Sequence, residues 1–198
     1  LLECMEERQV TVDGVTRKLP NPFVVVATQN PVGSAGTQML PESQLDRFMI
    51  RISMGYPTME EEIRLIKERQ DANPMDRVQE IVSKSEVLKM QEEIRQVFVD
   101  DRILEYMSQI VNGTREHSLI TLGVSPRGTL ALMDMSRAMA YIKGRTYVLP
   151  EDVQAVAGAV LSHRITVNGK ARMSHVTNED VIQEIVRKVD APKIKSIG

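Results

Sequence analysis

Phe23-Val24-Val25-Val26-Ala27-Thr28-Gln29-Asn30-Pro31 decides how the chain is read. An apolar run rich in β-branched residues and without polar alternation is expected for a strand covered on both faces, as in the interior of a parallel α/β sheet. The run ends in Thr28-Gln29-Asn30-Pro31, which gathers polar groups at the strand's C-terminal edge. Ligands of open α/β sheets bind at that edge.

Upstream, residues 1–9 carry Leu1, Leu2 and Met5 among charged neighbours, the spacing of the end of an amphipathic helix. The period then changes. Val10 and Val12 alternate with polar residues, Asp13-Gly14 supplies a turn, and Val15, Arg17 and Leu19 lead out, which predicts a β-hairpin over about 9–19. Downstream, residues 31–42 hold Pro31, Gly33, Gly36 and Pro41 and read as an irregular loop. A helical turn around Ser43 to Asp46, a further strand from Phe48 to Ile52 and the closing Gly55-Tyr56-Pro57 complete this half. A domain boundary is placed there, giving 1–57 as an incomplete α/β portion and 58–198 as an all-α portion.

From Thr58 the periodicity is helical. Thr58 and Glu61 form a capping-box pattern ahead of Ile63 and Ile66. Asn73-Pro74 breaks the chain. Further helices are expected through Val87 to Phe98, through Ile103 to Val111 with Asn112-Gly113 as a stop, and from Pro126 through Leu130, Met133 and Tyr141 to Gly144. Pro150 opens another, with Val153, Val156, Ala157, Val160 and Leu161 as one buried stripe, and Thr177 with Asp180 caps the last, through Val181, Ile182, Ile185 and Val189. Leu149 stands where a capping Ser or Thr is usual. The 12 methionines read as flexible core filler of a helical bundle.

Composition excludes several classes of function. The chain has 198 residues, 42% hydrophobic and 26% charged, the balance of a globular protein. A net charge of -2 gives no field that would draw it to nucleic acid or to an acidic membrane. No run approaches the ~18 apolar residues that cross a bilayer. The single Cys4 reads as an inert thiol suited to a reducing cytoplasm, and the scattered His117, His163 and His175 offer no metal-ligand spacing. Asn112-Gly113-Thr114 matches a glycosylation pattern but reads as a turn. The start at Leu1-Leu2-Glu3-Cys4, apparently within a helix, reads as that of a fragment.

Three polar residues stand where local structure gives them little reason to be. Asn30, at the strand end, could hold a water molecule for attack on a phosphate, or could simply start a turn before proline. Arg47 in Leu45-Asp46-Arg47-Phe48 could reach out of the domain to a transferring phosphoryl group, or could pair with Asp46 or Glu42. Arg127 follows Ser125 as N-cap and Pro126 as first helical residue. A cation there opposes the helix dipole unless an anion is close, although exposed arginines in first turns are common.

The succession Thr28-Gln29-Asn30-Pro31, Leu40-Pro41-Glu42-Ser43-Gln44-Leu45-Asp46-Arg47-Phe48, helical bundle, Gly123-Val124-Ser125-Pro126-Arg127 and Pro150-Glu151-Asp152-Val153 resembles the AAA+ ATPases and, within them, the MoxR family. The resemblance is specific over about 1–57 and 121–154 and weak over 72–100 and after 165. It implies an α/β partial AAA+ core, with an incomplete parallel sheet and a β-hairpin, followed by an all-α helical lid. Asn30 would be sensor 1, Arg47 the arginine finger, Arg127 sensor 2, and Tyr56-Pro57 the linker beside the adenine. ATP with Mg2+ is the implied cofactor, a homo-oligomeric, hexameric ring the implied assembly, and remodelling of a client protein, with metal cofactor insertion as one form of it, the implied work. No phosphate-cradling Gly-x-x-x-x-Gly-Lys-Ser/Thr loop and no acidic strand end for magnesium occur. The family places both before residue 1, so this stretch alone is expected to be inactive. The rival reading is a non-catalytic helical interaction module.

Overall fold

The computed structural model describes residues 2–29, 40–71 and 73–193. Helix α1 (Leu2–Glu7) leads into a hairpin of β1 (Gln9–Val12) and β2 (Val15–Lys18), paired antiparallel from Gln9 opposite Lys18 to Val12 opposite Val15. Asp13 and Gly14 turn it with φ of 52° and 75°. A left-handed pair of this kind matches the twist of the strands it joins and needs residues that tolerate positive φ. The expected hairpin is therefore present.

The expected buried strand is not. Phe23 to Gln29 carries no ladder; Val24 and Val26 are 72% and 83% exposed, whereas Phe23 and Val25 are partly covered. A β-branched run becomes a central strand only when neighbours on both sides bond its backbone, and no described strand lies beside it. Phe48 to Ile52 likewise forms no ladder. Its one backbone–backbone bond outside the turn, among the described residues, runs from the Arg51 amide to the Ala159 carbonyl, 2.9 Å, so the segment is laid on a helix rather than on a sheet. Before it comes α2 (Glu42–Leu45), the short helical turn the sequence places around Ser43 to Asp46.

Helix α3 (Met59–Asp71) starts as the capping box requires: the Glu61 carboxylate accepts from the Thr58 amide at 2.8 Å, and the Thr58 hydroxyl accepts from the Glu61 amide at 3.3 Å. Its apolar residues do not join the bundle. Ile63 and Ile66 are exposed, as is every side chain from Met59 to Gln70. The amphipathic pattern is real, but among the described residues α3 has nothing to pack on.

The bundle is built from the helices that follow: α4 (Lys84–Arg95), α5 (Asp101–Glu116), α6 (Pro126–Ile142), α7 (Pro150–Leu161), the short α8 (Gly169–Met173) and α9 (Asn178–Lys188). Helix α7 lies between α6 and α9, and α5 touches all three. Ile103, Tyr106, Met107, Ile110, Leu132, Val153, Val160, Leu161 and Ile182 are fully or almost fully buried in one continuous core. In α6 the buried apolar positions are Ala131, Leu132 and Ala140, while Leu130 points to solvent at 60% exposure. A short antiparallel pair, β3 (Ile120–Leu122) and β4 (Thr166–Val167), closes one end.

Two local expectations are corrected. Asn112-Gly113 does not stop α5, which continues to Glu116. A Cβ on Gly113 would sit 2.8 Å from Ile185 Cγ2, so the glycine permits the approach of α9 instead of ending a helix, and Thr114 is buried within it. Leu149, with no side-chain acceptor, is served from the other side of its helix end. The Asp152 carboxylate accepts from the Leu149 amide at 2.9 Å while also holding Lys143 at 3.0 Å and Arg145 at 2.5 Å. Asp152 is fully buried. Burial pushes its carboxyl up, but Arg145, the Leu149 amide and Lys143 outweigh that and hold it below its ordinary 3.8.

Candidate phosphate-facing seam between the core turn and the lid

The turn after α2 places Asp46 and Arg47 against the N-terminus of α6. Ser125 caps α6, its hydroxyl accepting from the Gly128 amide at 3.4 Å, and the same hydroxyl lies 3.1 Å from each Asp46 carboxylate oxygen. One residue into the helix, Arg127 donates from Nη1 to Asp46 Oδ2 at 3.3 Å and from Nη2 to Glu6 Oε1 at 2.5 Å. Arg47 pairs through Nη1 with the other oxygen of Glu6. Two arginines 80 positions apart in sequence thus share one carboxylate. Among the described residues, the buried Arg47 Nε has no hydrogen-bond partner.

Beneath them lies Arg164, in the 3-10 turn Ser162–Arg164 that follows α7, its side chain 1% exposed. Nε stands 3.3 Å from Asp46 Oδ1. Nη2 donates to the carbonyls of Asp46 at 3.2 Å and Phe48 at 2.6 Å, and Nη1 to those of Met49 at 3.2 Å and Val160. His163 Nε2 is 3.0 Å from the Phe48 carbonyl and 2.8 Å from Arg164 Nη1. Burial first, then the Arg164 charge, lower its pKa below 6.5, so the ring is neutral at pH 7. Burial also lowers the Arg164 pKa, opposed by Asp46; a guanidinium stays charged regardless. Three guanidinium groups face two carboxylates here, an excess of one positive charge in the seam.

The structure therefore brings Arg47 and Arg127 together. It does not bring Tyr56, which is 93% exposed and packs on nothing in this cluster. Asn30 lies outside the described residues. Arg47 sits after a helical turn as expected, although no strand follows it. The mild misfit of Arg127 at a helix N-terminus is resolved within the chain by Asp46 and Glu6. Glu6 and Arg164 were not singled out from the sequence; Asp46 was weighed only, with Glu42, as a partner of Arg47, which pairs with Glu6 instead, and His163 only as a scattered histidine. The available signal was His163-Arg164 itself, a polar pair that includes a fixed cation, set between the buried Val160-Leu161 and Ile165. Charged residues are buried only when paired.

Comparison with known proteins matches two parts of the chain. Residues 1–50 match the model of the ATPase family associated with various cellular activities (AAA), and residues 112–185 that of the AAA lid domain. The chain belongs to the MoxR-type AAA+ family. It is 42% identical over 99% of its length to the uncharacterized protein YeaC of Bacillus subtilis, and 35% identical over its full length to chaperone MoxR1 of Mycobacterium tuberculosis. It spans 61% and 54% of those two proteins. A crystal structure of a candidate ATPase from Cytophaga hutchinsonii superposes on 97% of this chain with a TM-score of 0.89 at 40% identity, the chain spanning 61% of it. The MoxR-type chain thus carries a partial AAA+ core followed by a helical lid. Among its described residues no helix is long and apolar enough to cross a membrane.

Proposed function

We propose that the intact protein is an ATP-hydrolysing, chaperone-like motor in which this stretch supplies the residues that read the terminal phosphate. The observation that carries the reading is the meeting of Arg47 and Arg127 on one carboxylate, Glu6. A guanidinium fork recognises carboxylate and phosphate oxygens by the same geometry, so Glu6 occupies a place suited to a phosphoryl oxygen. In this reading Arg47 acts as the arginine finger, Arg127 as sensor 2 and Asn30 as sensor 1, with Tyr56 beside the base. Because both arginines address one anion, both report on the same nucleotide, that of a neighbouring subunit.

The fit to ATP with Mg2+ is one-sided. The donor set suits the γ-phosphate, whereas Asp46 and Glu6 are already engaged by arginines and leave no free carboxylate pair here for magnesium. When bound, nucleotide and metal supply the reacting anhydride and its charge neutralisation. The residues here orient it and stabilise charge as it builds on the phosphoryl oxygens. The stretch by itself is expected to be inactive. The ring, hexameric by family, its cytoplasmic setting and its work on a client protein, metal cofactor insertion included, belong to the same proposal. The domain division at 57/58 does too, with the seam as the joint.

ATP hydrolysis by the full-length protein tests this. Arg47→Ala should lower kcat by about 10³-fold or more with nucleotide binding kept, and mixing it with wild type should reduce activity non-linearly. Unchanged turnover would remove Arg47 from the mechanism. The rival, a non-catalytic interaction module, draws on the exposure of Ile52, Met54 and Tyr56. A wild type without turnover would favour it.

A further inference from the structure

Among the described residues, Arg164 donates to more backbone carbonyls of the finger-bearing turn than any other lid residue. Its guanidinium accounts for the carbonyls of Asp46, Phe48 and Met49 on one side and Val160 on the other, and it meets the Asp46 carboxylate that also receives Ser125 and Arg127. Its stem passes over Gly128, where a Cβ would stand 2.8 Å from Arg164 Cδ and 2.4 Å from Val124 Cγ1. Glycine at that point in the first turn of α6 leaves room for the arginine to reach the core turn. A planar five-donor fork satisfies several carbonyls at once, which a lysine or an apolar residue of similar length does not.

We propose that Arg164 is a positioning residue for Arg47. It ties the backbone of residues 46–49 to the end of α7 and the start of α6, so that the direction of the finger is set by the lid of its own subunit. Arg164 does not reach the nucleotide. Its effect passes through the Asp46-Arg47 turn, and a lid displaced by nucleotide exchange carries the finger with it. This rests on the reading of Arg47 given above.

The test uses the full-length protein and ATP, with Arg164→Lys, Arg164→Gln, Arg47→Ala and the double variant Arg47→Ala/Arg164→Gln. Displacing a finger by about 1 Å is worth up to ~10²-fold in rate. The expected result is a fall in kcat of about ten- to a hundred-fold for both Arg164 variants, with KM for ATP within about two-fold of wild type. The double variant should be no slower than Arg47→Ala alone, because a misdirected finger has nothing left to lose once the finger is removed. Wild-type kcat in Arg164→Gln, or multiplicative losses in the double variant, would overturn the proposal while leaving the role of Arg47 intact. Wild-type kcat in Arg47→Ala would instead remove the reading beneath it. Should Arg164→Gln not fold, Asp46→Asn loosens the same clamp from the finger side. It must then lower kcat at unchanged KM, and a wild-type kcat there overturns the proposal as well.

Discussion

The helices from α5 to α9 and the described part of the stretch from Arg51 to Val82, which holds α3, both carry many apolar residues, yet one is a core and the other is not. Leu132, Ile110 and Val160 are 0% exposed, whereas Met54 is 94% exposed and Ile81 92%. The difference lies in supply. Helix α7 has α6 on one flank and α9 on the other, and each apolar stripe meets another. Helix α3 has a capping box and an apolar face but no partner among the described residues, so its stability rests on local terms that are marginal for 13 residues. Amphipathic spacing specifies that a face wants cover and leaves open what covers it.

The largest effect that tests this contrast is a truncation on each side of it. Leu132→Ala should cost about 3–4 kcal/mol in urea unfolding of the chain, because the cavity is enclosed by packed helices. Met54→Ala should shift the same transition by less than ~0.5 kcal/mol. Equal effects would mean that the 51–82 stretch is packed in solution and that the contrast is wrong.

Which parts of the molecule could be read from sequence follows the same line. Helix starts were legible at Thr58 and Thr177, where a cap and its N3 partner lie within four residues of each other, and at Ser125-Pro126 and Pro150, where proline suits the first helical position. The strand expected at 23–27 is not formed, because a ladder needs neighbouring strands that the described residues do not supply. Asn112-Gly113 was misread for a related reason: a local stop signal is outweighed by α9 packing at Ile185, 72 positions away. At the candidate site, Arg47 and Arg127 showed themselves by standing at a turn and at a cap. Glu6 and Arg164 did not, because what marks them is a partner more than a hundred residues away, at Arg127 and at Asp46.

Within the bundle, a polar anchor should matter almost as much as an apolar one. Asp152 is enclosed with Arg145, Lys143 and the Leu149 amide, so Asp152→Ala strands two cations and frees a helix end. A loss of about 3 kcal/mol is expected, toward the lower end for a buried pair because Lys143 is half exposed. The pH dependence has a definite sign. The folded-state pKa lies below the ordinary 3.8, so the contribution is complete above about pH 4–5 and is lost as pH falls through the depressed value. The variant should therefore flatten the acid limb of the stability profile below pH 4. An unchanged limb would move the source of acid sensitivity elsewhere.

Gly113→Ala sharpens the comparison at the closest approach of two helices. Alanine gains up to ~1 kcal/mol of helix propensity, but its Cβ meets Ile185 Cγ2 at 2.8 Å, and overpacking of this kind costs about 1–3 kcal/mol. A net loss near 1 kcal/mol is expected, and pairing it with Ile185→Leu, which removes the offending methyl, should recover part of it. A stabilised single variant would show that α9 can slide away from α5, and so that the bundle is looser than its buried core implies.

The smallest effect separates helix formation from core formation. In α3 the Thr58 hydroxyl and the Glu61 carboxylate bond each other's backbone amides, and hydrogen bonds from Thr58 lower the Glu61 pKa from its ordinary value. Thr58→Ala removes half of that box. If α3 is sustained by local terms alone, the substitution weakens its first turn by about 1 kcal/mol, as a cap loss does in a peptide. The unfolding midpoint of the bundle should then stay within experimental error, because no described contact transmits the loss to it. Amide hydrogen exchange resolves the two: faster exchange confined to the first turns of α3 is expected, with protection in α5 to α7 unchanged. Loss of protection in α7 would reveal a coupling between α3 and the bundle, and α3 would have to be counted with the lid core.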